Sequence, residues 1–337
     1  MVHKIRLTLE AAEQLAQRAL LACGSSEAAA RSTARALVNA EADGQSGHGL
    51  SRVPAYCAQL RSGKIRGHAE PQLQQIAPGA ARIDAGLGLA YPAIDLAIAT
   101  LLKLAPAQAV AAVTIQHSHH FGQAGAHVER LAANGLLALM FGNTPKAMAF
   151  WGGKAAMLGT NPLAFAAPLP PPHTAPLVID MALSVVARGK IVAAQKAGET
   201  IPADWARGPD GQPTTDPATA LAGTLMPLGG AKGGALALMI EILGAALTAS
   251  SFGWEASSFF DAAGASPDMG HLLIALDPDR FSGGAFTARM QTLCAAIAAQ
   301  PDVRLPGNRR LRYREQALQD GLSVDAALLT EITNLHG

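Results

Sequence analysis

His48 and Arg52 stand four residues apart where the turn DGQSGHG, residues 43–49, gives way to an apolar segment. On a helix that spacing puts both side chains on one face. An imidazole can deliver a proton near neutral pH. A guanidinium can hold a carboxylate with two parallel hydrogen bonds. A small 2-oxo or 2-imino acid needs both, one group for its carboxylate and one for its reacting heteroatom. An arbitrary His/Arg pair is more often a solvated surface pair, so the pattern needs support from elsewhere. Asp180 follows the apolar run PLVI and is expected at a strand end with its carboxylate near the interior. A buried carboxylate requires a partner. An imidazole is one candidate, because Asp can fix its tautomer; capping of the next helix is the other.

Three further segments could hold a cofactor. In QHSHHFGQAGAH, residues 116–127, three histidines exit a buried strand and precede Gly122 and Gly125. No carboxylate or cysteine nearby completes a metal site, so no metal is expected. On an extended strand end His117 and His119 share one face and His120 the other. A Gly-rich helix start offers free N–H groups to a phosphate, although polar residues at a strand exit read equally well. Lys232, in LGGAKGGALALM, could neutralise a phosphate at a helix start or be a solvated loop lysine. PGNRRLRYRE carries Arg309, Arg310, Arg312 and Arg314, a phosphate grip or a solvated face. GLGLAY, residues 86–91, lacks the third glycine of a Rossmann fingerprint, and GGAKGG, residues 229–234, has the wrong spacing for a phosphate loop. A dinucleotide would therefore sit on a different fold.

The elements that must carry these groups follow from pattern. The chain has 337 residues, half of them hydrophobic and 15% charged, enough for a large core. Its 26 basic and 25 acidic residues leave a net charge of +1, so no basic excess drives it onto nucleic acid or anionic lipid. Cys23, Cys57 and Cys294 are odd in number and far apart, which argues for reduced thiols and a cytoplasmic protein. The first residues, MVHKIRLTLE, show no apolar signal core. GGALALMIEILGAALTA contains Glu241 and reads as a buried helix rather than a membrane span. Two helices are predicted in the first 42 residues, with Thr8 as a cap, Gly24 as a stop and Ser25 or Ser26 as the second cap. A third is predicted over about 50–60. Strands and helices then alternate, with the buried strands AVAAVTIQHS and LLALMFGN, two extended runs around the loop PLPPPHTAP, the strand HLLIALDP and a final helical segment.

Taken in order, six segments resemble the malate/L-lactate dehydrogenase type 2 family, nicotinamide-dependent oxidoreductases without a Rossmann fold. They are GHGLSRVPAYCAQLRSG, HSHHFGQAG, MAFWGGKAAMLGTNPLAFAAP, VIDMALSVVARGKI, DGQPTTDP and PLGGAKGGALALMIEIL. Within the family the likeness is greatest to Δ1-piperideine-2-carboxylate/Δ1-pyrroline-2-carboxylate reductases, through FGWE at 252–255, the arginine-rich tail and a shortened C-terminal end. The resemblance implies an α/β fold whose NADPH-binding domain, 76–284, is a largely antiparallel sheet with helices. A helical N-terminal segment, 1–75, would carry the proton donor, and residues 285–337 would pack back on both. It implies His48 as proton donor, Arg52 as carboxylate anchor and Asp180 as the group orienting His48. His120, Phe121, Gly122, Gln123, Ala124 and Thr160 would line the cofactor, and Lys232, Arg309 and Arg310 would meet its phosphates. NADPH is the expected cofactor, with NADH possible, and a homodimer the expected assembly.

One departure bears on the chemistry. Relatives read Ser-His-Gly where this chain reads Gly47-His48-Gly49. Either Ser46 reaches His48, or Asp180 orients it alone, or catalysis is impaired. A smaller departure is Ala231, where relatives often carry a larger side chain. The leading expectation is an NADPH-dependent reductase of a cyclic 2-imino acid. The alternatives are a dehydrogenase of an open-chain 2-hydroxy acid and a cofactor-binding homologue with impaired chemistry.

Overall fold

A computed structural model describes residues 3–336. Its centre is a seven-stranded sheet in the order Gln72–Ala77, Ala80–Asp84, Val110–Ser118, Met269–Leu276, Leu137–Gly142, Leu163–Ala167, Leu177–Met181. Only Ala80–Asp84 and Val110–Ser118 run parallel; every other adjacent pair is antiparallel. A parallel pair requires a crossover, and the helix Ala90–Gln108 supplies it. Its Ile94, Ile98 and Leu101 pack on Ala111, Val113 and Ile115, alternate residues of one strand that share a sheet face. This helix is long and apolar enough to cross a membrane by length and composition, and most of that stretch is buried in the protein. The opposite sheet face, with Phe141 and Leu272, meets a second apolar cluster that includes Met148, Leu158, Ile191, Leu225 and Ile240.

The helices Leu9–Ala22, Glu27–Ala42 and Val53–Arg61 form a separate layer. Thr8 Oγ1 accepts the Ala11 N–H (3.1 Å), and Ser26 Oγ accepts that of Ala29 (3.3 Å), so both predicted caps are in place. The end of the chain closes this layer. Leu322–Asp325 pairs antiparallel with Lys4–Leu7, and Leu329 and Ile332 join the core of Leu20, Leu37 and Tyr56.

Four sequence expectations change. The third helix does not begin at residue 50. Two 3₁₀ turns, Ser46–His48 and Leu50–Arg52, precede Val53–Arg61, because the Glu41 carboxylate takes the Leu50 N–H (3.0 Å) and holds the turn. The final segment is not one helical run but the helices Phe286–Ala298, Asn308–Asp320 and Ala326–Asn334 plus a strand. The apolar helix Ala231–Glu241, continued by a π turn over Ile242–Ala246, is buried on one side only; Leu238, Met239, Ile242 and Leu247 are exposed. His117 takes a left-handed φ of 51°, which breaks the strand alternation. It pairs with Asp84 (3.0 Å) at the surface, whereas His119 and His120 both turn inward.

Candidate active site

His48 and Arg52 each end one of the two 3₁₀ turns. Between them Gly49 makes room for the Glu41 carboxylate that organises the turn, which a Cβ there would displace. Arg52 Nε donates to the carbonyl of Gly47 (2.6 Å), and its guanidinium lies 4.6 Å from the centre of the Phe260 ring. These two contacts aim the end-on Nη1/Nη2 edge. Nη1 is buried and has no hydrogen-bond partner among the described residues. An unmet buried donor costs about 1–3 kcal/mol, so the site is built to receive an acceptor, and a carboxylate matches a guanidinium edge best.

His48 is held from behind. Its Nδ1 lies 3.3 Å from His120 Nε2, and the two rings stack with centroids 5.3 Å apart. His120 Nδ1 is 2.6 Å from the Tyr56 hydroxyl, which is 3.2 Å from that of Tyr91. His48 Nε2 has no hydrogen-bond partner among the described residues and is the nitrogen left for a substrate. Burial, reinforced by Arg52, pushes the His48 pKa down to about 4, so its ring is neutral at pH 7. Burial also pushes Tyr56 up to about 12, so it stays a phenol.

A loop, residues 251–268, roofs this pair. Phe259 packs on His120 and His119, and Phe260 covers Arg52. The loop is pinned at both ends. Lys64 Nζ, fully buried, donates to the carbonyls of Ser258 (2.7 Å), Ala263 (2.8 Å) and Asp261 (3.1 Å). Gln59 Nε2 donates to the carbonyl of Phe259 (3.0 Å) while its Oε1 meets His119 Nε2 (2.8 Å). Glu241, which broke the apolar run in the sequence, accepts from Gly253 N (2.6 Å) and Asn161 Nδ2 (2.7 Å). Sequence reasoning missed Tyr56, Tyr91, Gln59, Lys64 and the Phe259–Phe260 pair. Tyr56 alone had a usable signal, since it continues the four-residue spacing of His48 and Arg52.

The other expected residues fall as follows. Asp180 does not hydrogen-bond to His48. Its Oδ2 accepts from Gly125 N (2.8 Å) and so caps the helix Ala124–Ala132, using one of the N–H groups expected to be free for phosphate. Ser46 is exposed and its hydroxyl makes no hydrogen bond to His48; its carbonyl accepts from Ser51 Oγ (2.6 Å) and Gly49 N (3.1 Å). His120, Phe121, Gly122, Gln123 and Ala124 are all buried, and Gln123 donates to Asp43 (2.9 Å). His120 therefore faces His48 rather than an open cleft. Thr160 is half-buried beside Thr144, whose Oγ1 accepts the Thr160 N–H (2.9 Å). Lys232 and Arg309 are exposed, each in the first turn of a helix, with no carboxylate in ion-pair range among the described residues. Arg310 is not available to a phosphate. It grips Glu129 with both terminal nitrogens (2.7 and 2.9 Å) and joins Asp43 and Arg314 in a buried ion-pair network. The expected phosphate-binding cluster is thus split, half of it neutralised inside the protein.

Residues 7–333 match the family described as malate/L-lactate dehydrogenase. The chain is 49% identical over 326 residues to a (2R)-3-sulfolactate dehydrogenase (NADP(+)) of Chromohalobacter salexigens, covering 97% of this chain and 96% of that one. It is 39% identical to a Δ1-pyrroline-2-carboxylate reductase of Ancylobacter novellus, covering 99% and 98% of the two chains. The solved Δ1-piperideine-2-carboxylate reductase of Pseudomonas syringae superposes with a TM-score of 0.92 at 34% identity, over 98% of this chain and 99% of that one. A largely antiparallel sheet in place of a Rossmann fold agrees with this likeness, and the chain belongs to the malate/L-lactate dehydrogenase family of oxidoreductases.

Proposed function

We propose that the protein is an NADP(H)-dependent oxidoreductase that interconverts a small anionic 2-hydroxy acid and its 2-oxo acid, with (2R)-3-sulfolactate as the leading substrate. The observation that carries the reaction class is the buried, unpartnered Nη1 of Arg52 beside the free Nε2 of His48. Arg52 holds the substrate carboxylate end-on, with one face of its guanidinium on the Phe260 ring. On oxidation His48 Nε2 takes the hydroxyl proton; on reduction the same atom returns it to the carbonyl oxygen. General acid–base help of this kind contributes about 10²–10⁴-fold. NADP, when bound, accepts or supplies the hydride at the substrate's C2. The exposed cations Lys232 and Arg309 suit its phosphates, and Thr160 its polar edge. A cleft of about 230 Å³, lined by residues such as Leu169, Pro172, His173, Leu305 and Asn308, lies next to Arg309 and has room for a nucleobase.

Sulfolactate is placed first because the sulfolactate relative is 49% identical and the imino-acid reductase 39%, with 96% or more of each chain covered in both cases. A cyclic 2-imino acid, the leading expectation from the sequence, is the second reading. It asks the same work of Arg52 and His48, with a ring nitrogen as proton acceptor, and the 39% identity to a pyrroline-2-carboxylate reductase keeps it in play. The exposed apolar face of Leu238, Met239, Ile242 and Leu247 supports a homodimer, and three free thiols support a cytoplasmic setting. The test is NADPH oxidation with 3-sulfopyruvate, oxaloacetate, Δ1-pyrroline-2-carboxylate and Δ1-piperideine-2-carboxylate, and the same series with NADH. Highest kcat/KM on sulfopyruvate is expected. Highest kcat/KM on either imine establishes the second reading, and tight NADPH binding without turnover of any establishes an impaired homologue.

A further inference from the structure

His48 lacks both partners that its relatives suggest. Position 47 is glycine, and Asp180 is occupied by a helix end. What touches Nδ1 instead is His120, which lies on the line Tyr91 hydroxyl, Tyr56 hydroxyl, His120 Nδ1, His120 Nε2, His48 Nδ1, with successive separations of 3.2, 2.6 and 3.3 Å. All three supporting side chains are buried. The line is also protected by shape. Gly122 has a φ of 69°, and a Cβ there would lie 2.7 Å from the Tyr91 hydroxyl; Phe259 closes the other side of His120 at 5.1 Å between rings.

We propose that His120, backed by Tyr56 and Tyr91, is the positioning residue that fixes the tautomer of His48 and makes Nε2 its reactive atom. This rests on the reading of His48 as acid and base. The line can be polarised in two ways. If Tyr91 donates to Tyr56, Tyr56 to His120 Nδ1 and His120 Nε2–H to His48 Nδ1, then His48 carries its proton on Nε2 and has no lone pair for a substrate hydroxyl. Giving up that proton would leave an imidazolate. In the opposite sense His48 Nδ1–H donates to His120 Nε2, His120 Nδ1–H to Tyr56, and Tyr56 to Tyr91. His48 Nε2 is then a free base. On taking the substrate proton it becomes an imidazolium whose Nδ1–H is still accepted by a neutral ring. The proton later leaves from Nε2, to substrate or to water. None passes to the tyrosines, so no buried phenolate forms and the proton count balances. Only the second polarisation supports both directions of the reaction.

Nitrogen-15 histidine NMR of the intact protein at pH 7, with His48 assigned through His48→Gln, reads the tautomer directly and does not depend on turnover. The Nδ1–H form of His48 is expected in the wild type. Tyr56→Phe removes the hydroxyl that His120 Nδ1–H donates to and should leave a mixture of tautomers. Its kcat should fall roughly tenfold or more, well short of the ~10⁴-fold cost of holding a catalytic histidine in the wrong tautomer. KM and NADPH affinity should change less than about twofold, because neither binding group is touched. An Nε2–H tautomer in the wild type overturns the proposal. So does a Tyr56→Phe protein with unchanged tautomer and unchanged kcat. Full turnover by His48→Gln would instead sink the acid–base reading itself, and the wild-type spectrum would still report what His120 does to the ring.

Discussion

Replacing Arg52 by methionine removes a half-buried cation beside His48 that has no carboxylate in ion-pair range among the described residues. The guanidinium spends Nε on Gly47 and one face on Phe260, so its end-on edge is what remains for a ligand. Two charge-assisted hydrogen bonds at about 1.5–3 kcal/mol each give roughly 3–6 kcal/mol, overlapping the range of about 3–5 kcal/mol for breaking a buried ion pair. At about 1.4 kcal/mol per decade, kcat/KM should drop by roughly 10²–10⁴. NADPH affinity should be unchanged, and stability should hold or rise slightly, since the free protein loses an unmet buried donor. Arg52→Lys keeps the charge but not the fork, the Gly47 contact or the stacking, and should recover less than about tenfold of the loss. Initial rates of NADPH oxidation over a substrate series, with circular dichroism to confirm folding, measure this. If Arg52→Met stays within tenfold of wild type on every 2-oxo and 2-imino acid, the carboxylate anchor is misassigned.

Acid should unfold the protein early. Burial lowers the pKa of His127 to about 4 and of His119 and His271 to about 3, and also lowers His120. The unfolded chain binds those protons from pH 6.5 downward while the folded one does not. Stability is therefore complete above pH 6.5 and falls towards pH 4, by up to about tenfold per pH unit per histidine in the folding equilibrium. A melting temperature that is flat from pH 7 to about 4.5 would contradict this. Glu129→Ala leaves Arg310 and Arg314 with Asp43 alone and should destabilise the fold by about 3–5 kcal/mol in urea titration; a loss under 1 kcal/mol would mean that the network carries little. Gly47→Ser should fold normally, because a Cβ there meets no atom within 4 Å, and should alter kcat less than about threefold if His120 already orients His48; a gain of tenfold would show that the missing serine limits this enzyme. Lys232→Ala and Arg309→Ala should each weaken NADPH binding, most at low salt, while Arg310→Ala should chiefly lower the melting temperature; fluorescence titration at two ionic strengths separates these effects.

Much of the site was legible locally. The caps at Thr8 and Ser26, the strands from Val110 and Leu137, and the His48/Arg52 spacing are properties of neighbouring residues, and nearest-neighbour geometry is what a sequence encodes directly. The missing Gly fingerprint argues against a Rossmann sheet, and six ordered segments carry the family likeness in the sequence itself. Arg310 and Arg314, four apart on one helix face, could have been separated from exposed Arg309, but their counter-charges Asp43 and Glu129 lie far away in the chain. Lys64 gave no sign of its role, because its ligands are backbone carbonyls 194–199 residues away, and any residue type supplies those equally. Asp180 meets Gly125 N instead of His48, and His120 meets His48 instead of a cofactor cleft, for the same reason. Each was a polar group at a strand exit, and what it would face depended on how the helix Ala124–Ala132 and the N-terminal layer close on the sheet. Residue types and local spacing thus determined which groups could do chemistry. Only the folded chain decided which of them meet, because a side chain's partner across 72 residues leaves no periodic trace in the sequence around it.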